Sequence, residues 1–304
     1  MLDIVISSRQ ADITPGFSVK RILPYQLRRM VGPFIFMDHG GPVAMPSSIH
    51  TNLDVLPHPH IGLSTVSYLF SGEVTHRDSL GVEQVIKPGE VNWMNAGRGI
   101  AHSERFEDPA IRAGGQLEMI QTWVALPEKD EEAEPSFSNY TIDRLPVFTD
   151  KGVWMRVIAG DVFGLKSEVK TTSPLFYIHV AIEKGARFGL PQGYSERGVY
   201  IAKGSVSVNG TAYPEGQLLV FSPGVDPVII AHTNSTLMML GGEHLGERYI
   251  WWNFVSSRKE RIEQAKEDWK QGRILLPPSD DSDYIPLPVT NSKPAGGPPP
   301  NALS

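Results

Sequence analysis

Ser71-Gly72, Leu80-Gly81, Pro88-Gly89 and Gly97 cut the chain at intervals too short for helices of ordinary length. The segments between them, "STVSYLF", "EVTHRDS", "EQVIK" and "EVNWMNA", are rich in β-branched and aromatic residues, and each stops at a turn as a strand should. Turn signals every roughly 8 to 12 residues point to a sandwich or barrel rather than βαβ units. With 29 Gly and 25 Pro in 304 residues the same punctuation runs through the whole chain, which is therefore predicted to be all-β.

The arrangement occurs twice. "RGVYIAKGSVSVNGTAYPEGQLLVFSPG", residues 197–224, mirrors residues 65–97: a strand ends at Gly, a hairpin follows, and a Pro-Gly-type turn opens another apolar strand. Two related β-barrels are expected, one over residues 1–130 and one over 151–288, joined by an excursion over 131–150 that includes the charges and prolines of "PEKDEEAEPSFSNY". Within the second, Ser257-Arg-Lys-Glu260 is a capping-box pattern that predicts a helix over 257–271, with Ile262, Ala265 and Trp269 packed inward. The Pro/Gly-rich end, residues 289–304, is expected to be a disordered or surface-laid tail.

Composition removes several function classes. A net charge of -6 argues against a general phosphate-binding surface, and the one basic stretch, Lys20, Arg21, Arg28 and Arg29, reads as a solvated face. Direct nucleic-acid binding is not expected. With no cysteine, disulfides, thiolate ligands and a cysteine nucleophile are excluded, so any metal must be held by nitrogen and oxygen donors. No apolar run of about 18 residues suggests a membrane span, and a cytoplasmic location is the expectation, with a nuclear one open in a eukaryote.

The chemistry-bearing residues are in "LPHPHIG" and "GRGIAHSE". A His-x-His pair alone is weak: chance supplies about 0.3 such pairs at this composition. The second pair, His102 and Glu104, follows 42 residues after His60, across the run of hairpins. Residues i and i+2 of a strand share a face, so His58 with His60 and His102 with Glu104 converge if both strands line one barrel. Such a set suits Fe, Zn, Cu, Mn or Ni, with positions left for water, substrate or dioxygen. His39 in "FMDHGGP" reads as a turn histidine bonded to backbone. His76 alternates with Val74 and faces either the pocket wall or solvent, and His232 and His244 have no such partner, which leaves the second barrel without an expected metal site.

The same residues carry a family resemblance. "PHPHIGLSTVSYLFSGEVTHRDSLG", "WMNAGRGIAHSE" and "GGEHLGERYIWWNFVSS" resemble segments of the pirin family of the cupin superfamily, over about Ile4 to Pro288. The resemblance implies two tandem cupin barrels (double-stranded β-helices) packed face to face with a short C-terminal helix. It also implies one mononuclear metal on His58, His60, His102 and Glu104, namely iron, Fe(II)/Fe(III), with Cu, Mn, Ni, Co or Zn as alternatives. Many relatives carry Glu where Ser64 stands here, so the outer hydrogen bonds to the ligand histidines are the expected point of difference.

Two roles follow from the resemblance. Some pirins are quercetin 2,3-dioxygenases, which take a flavonol and dioxygen and release carbon monoxide. In that role Glu104 is both ligand and proton acceptor, and Leu63, Trp93 and Met94 are candidates for an apolar wall against a flat aromatic substrate. Others are iron-binding regulators that act through a protein partner, as transcriptional co-regulators or enzyme modulators.

Overall fold

The computed structural model describes residues 1–14, 17–44, 54–107 and 115–288; the tail expected beyond 288 lies outside them. The predicted meander forms as Leu63–Ser71, Val74–Asp78, Glu83–Ile86 and Val91–Asn95, and its counterpart as Glu196–Lys203, Ser205–Val208, Thr211–Pro214 and Gln217–Phe221. Among the described residues the chain is all-β apart from short 3-10 turns and the helix Lys259–Lys270. Two compact units form, but they are not contiguous halves. One comprises 1–9, 20–37 and 140–245, and the other 10–19, 38–139 and 246–304.

The first unit has a seven-stranded sheet in the order Leu2–Ser7, Gln217–Phe221, Glu196–Lys203, Ser235–Gly242, Leu175–Ile182, Val153–Ala159, Val147–Asp150. A four-stranded sheet accompanies it, in the order Arg187–Gly189, Val228–Ala231, Ser205–Val208, Thr211–Pro214. Its core is an apolar cluster in which Phe176, Ile178, Val199, Ile201, Leu219 and Leu237 are all fully buried. The basic stretch of this unit is not a solvated face. Arg21 is buried with its guanidinium 4.9 Å from the Phe36 ring centre, and Arg28 pairs with Glu196 and Asp3.

The second unit holds the chemistry-bearing strands. Its four-stranded sheet runs Val55–His60, Ile100–Arg105, Val74–Asp78, Glu83–Ile86, so Val55–His60 is an edge strand. That position accommodates Pro57 and Pro59, whose missing N–H groups would break a ladder anywhere else. The larger sheet includes Leu63–Ser71 between Val91–Asn95 and Gln116–Ala125. Residues 127–150 are more than a surface excursion. Ser136–Tyr140 extends this sheet, and Glu131 is buried, accepting bonds from the Ser256 and Ser257 hydroxyls and the Ser257 amide.

Those bonds explain a difference at the helix, which packs in this unit. Ser257 is committed to Glu131, so the capping box does not form: Arg258 is the N-cap and no side chain caps the first turn. The inward face is as expected, with Ile262, Ala265 and Trp269 buried.

Gly62 turns the chain from the Val55–His60 strand into Leu63–Ser71 at φ +68°, and a Cβ there would lie 2.0 Å from the Val255 carbonyl oxygen. Gly81 has a similar φ of +84° but open space around it. Gly81→Ala should therefore cost only the left-handed backbone penalty, about 1–2 kcal/mol. Gly62→Ala adds a backbone collision and should cost more than about 3 kcal/mol. Urea midpoints of the two variants, measured side by side, check the difference.

Candidate metal centre

His58 and His102 are direct cross-strand partners, and the register continues as Ala101 opposite Pro59 and Ile100 opposite His60. Their rings lie 4.4 Å apart between centres, and each is 5.0 Å from that of His60. All three side chains are buried, and each can present a nitrogen within 4.8 Å of the other two.

The hydrogen-bond partners decide which nitrogen. His58 Nδ1 is 2.9 Å from the Leu56 carbonyl and His60 Nδ1 3.2 Å from the Asn253 carbonyl. A carbonyl only accepts, so both Nδ1 atoms carry the hydrogen and both Nε2 lone pairs are free. His102 reaches the same state through a longer chain. Asp78 accepts the Leu80 and Val82 amides on Oδ1 and the His76 Nε2 hydrogen on Oδ2 at 3.0 Å. That leaves His76 Nδ1 as an acceptor for His102 Nδ1, 3.3 Å away, and His102 Nε2 unpartnered and buried. Three neutral rings thus turn the same lone pair inward.

Glu104 sits two residues further on the same strand, opposite His76, with Oε1 3.6 Å from His102 Nδ1 and a buried Oε2 that has no partner. Burial pushes its carboxyl up to about 8, against the opposing pull of Arg105. Burial pulls His58 down to about 4, against the opposing pull of the Leu56 carbonyl. His60 and His102 are held well below the usual histidine range by burial and by neighbouring imidazoles. The three imidazoles fit a first-row cation: it would satisfy the orphaned buried His102 Nε2, and the rings need lose no proton to receive it, while Glu104 lies outside the set of donors that come within 4.8 Å of one another.

Several surrounding residues were not legible in advance. His76 lies against His102 and stacks on Phe137, rings 4.4 Å apart at 19°. Its signal was present, since His76 and Asp78 repeat the i, i+2 spacing of the ligand pairs on one strand. Trp123 meets the His60 ring edge-on at 5.1 Å and had no sequence signal beyond an apolar strand. Thr65 pairs with both Trp123 and Met94, which sets Met94 and Leu63 on the Trp123 face and Trp93 on the opposite one. Ser64 shares that opposite face, and the partners of the three Nδ1 atoms are Leu56, Asn253 and His76. His39 is a strand residue, not a turn residue, and its Nε2 bonds the Glu118 carboxylate at 3.1 Å. His244 in the first unit is exposed, 3.4 Å from Glu196.

Residues 16–124 match the Pirin family and residues 177–275 the Pirin C-terminal cupin domain. A Caulobacter vibrioides pirin-like protein is 52% identical over 95% of this chain and all of its own. A Pseudomonas aeruginosa relative with a provisional quercetin 2,3-dioxygenase name is 34% identical over 88% of this chain and 83% of its own. The crystal structure of an Acinetobacter baumannii quercetin 2,3-dioxygenase superposes with a TM-score of 0.86 at 32% identity, covering 94% of this chain and 95% of that one. With its two cupin domains and its relatives along nearly the whole length, the chain belongs to the pirin family.

Proposed function

We propose that this protein is a mononuclear metal-dependent dioxygenase that opens the heterocycle of flavonols such as quercetin with dioxygen and releases carbon monoxide. His58, His60, His102 and Glu104 are its ligands, and iron is its metal. The observation that carries the reading is the set of three buried, neutral imidazoles whose Nδ1 hydrogens are all engaged and whose Nε2 atoms are free. The relatives with quercetin dioxygenase names support the substrate class.

Bound there, the metal supplies Lewis acidity that favours the ionised form of the substrate hydroxyl. Glu104, ionised beside the bound metal, accepts that proton on a carboxylate oxygen and returns it later. Leu63, Met94 and Trp123, which share one face, offer the flat ring system an apolar wall.

Iron-loaded protein should bleach quercetin only when oxygen is present, and Glu104→Gln should slow turnover about 100-fold. His58→Ala and His102→Ala should each abolish stoichiometric metal retention. An iron-loaded protein that removes no flavonol beyond an iron-only control would overturn the enzymatic reading in favour of an iron-binding regulator.

The metal-free protein carries a pH signature. His58 takes its proton near 6.5 when unfolded but only near 4 when folded, so its contribution is present above 6.5 and is lost as pH falls toward 4. Glu104 acts in the opposite sense. Raised from 4.5 to about 8, its contribution is full below 4.5 and is lost as pH rises through 8. His60 and His102, held low by burial, act in the same sense as His58, so urea midpoints of the metal-free protein should decline on both sides of pH 6.5, and Glu104→Gln should remove the decline above 6.5 and steepen the one below it.

A further inference from the structure

We propose that the segment Pro277–Leu287 is a strap that holds the metal-ligand strands in place, and that Asp280 is the positioning residue through which it sets Glu104. The inference rests on the metal-site reading above. Asp280 Oδ2 accepts the Ser103 hydroxyl at 2.6 Å and Arg105 Nε at 2.7 Å, while Oδ1 accepts Arg105 Nη2 at 2.6 Å. Ser103 and Arg105 are the two neighbours of Glu104, and by strand alternation they point to the face away from the imidazoles. One carboxylate thus grips the side chains on both sides of Glu104 from behind.

The grip reaches the other ligand strand as well. Arg105 Nη1 also meets Asp54 at 3.4 Å, at the start of the strand that carries His58 and His60, and Asp54 accepts the Phe106 amide at 2.9 Å. Further along the strap, the Ile285 amide donates to the Pro57 carbonyl at 2.8 Å, next to His58. The strap is anchored in turn, because Trp269 Nε1 of the helix donates to the Ile285 carbonyl at 3.0 Å and its ring meets Tyr284 edge-on at 5.5 Å.

A bidentate, largely buried arginine–carboxylate pair fixes geometry as well as charge. The Asp280 side chain is 9% exposed and that of Arg105 12%, so solvent does not substitute for the lost partner. Asp280 touches neither metal nor substrate, and acts only by fixing where the strand presents Glu104.

The test measures Co(II) affinity, by competition with a chromophoric chelator, and the Co(II) absorption bands in full-length protein. Asp280→Ala should weaken binding about 10- to 100-fold and shift the bands, with Ser103→Ala doing so less and in the same direction. In a Glu104→Gln background the loss caused by Asp280→Ala should nearly vanish, because the ligand it positions is gone. Equal losses in both backgrounds would mean general loosening and would overturn the proposal. So would unchanged affinity in Ser103→Ala and Asp280→Asn, variants that serve if Asp280→Ala does not fold. Wild-type protein that takes up no Co(II) would sink the metal-site reading itself, whereas wild-type uptake with indifferent variants sinks the strap alone.

Discussion

The pairing of His58 with His102 across two antiparallel strands is the constraint on which the site depends. Side chains alternate along a strand, so a slip of one residue by the Val55–His60 strand would send His58 and His60 to the far face, away from His102. The prolines guard against that slip. Pro57 turns its carbonyl outward to Ile285, so Pro57 and Pro59 set their missing N–H groups on the free edge, while His58 and His60 face the ladder. Moving the register by one would set the prolines against the neighbouring strand and leave its carbonyls without donors.

Holding the ligand strands needs packing on their outer side, which the C-terminal residues supply. Ile61 and Ala101, each next to a ligand histidine, are buried against Trp252, Phe254, Ile262 and Trp269. Magnitudes separate the ion pairs in this region. Arg98–Glu134, 60% and 76% exposed, is of the kind worth about 0–1 kcal/mol. Arg105 lies between the largely buried carboxylates of Asp54 and Asp280, and removing one partner of such a pair costs about 3–5 kcal/mol. Glu131 plays a comparable part at the entry to the helix, where it takes up the Ser257 hydroxyl that the capping-box pattern assigns to the first turn and joins residues 127–131 to the chain near Ser256.

Legibility in the sequence followed the range of the interactions. Strands and their turns were readable because glycine, proline and β-branched residues act over a few positions, and the ligand pairs were readable because i, i+2 spacing is itself a geometric statement. The apolar stripe of the helix was readable for the same reason. Its start was not, since Ser257 obeys a carboxylate 126 residues away rather than Glu260. His76 was visible but unassigned, because alternation alone does not say which strand lies beside it. Trp123 and Asp280 owe their positions to pairing and packing at long range, and nothing around "SDDSD" announces that one of its carboxylates grips the residues flanking a ligand.

A single physical cause gives the site its two opposite tendencies. Removal from water penalises whichever form of a group is charged, so it strips protons from the three imidazoles and keeps one on Glu104. The empty cluster is thereby close to neutral, with its lone pairs exposed to one another and only Glu104 holding a proton in reserve. A cation held by the proposed four ligands would reverse the balance at that one group: its field would offset the desolvation that raised the carboxyl, while the imidazoles, already neutral, would have nothing to give up. On the proposed ligand set, metal uptake would couple to a single proton, and that proton belongs to the residue that the proposed strap holds from behind.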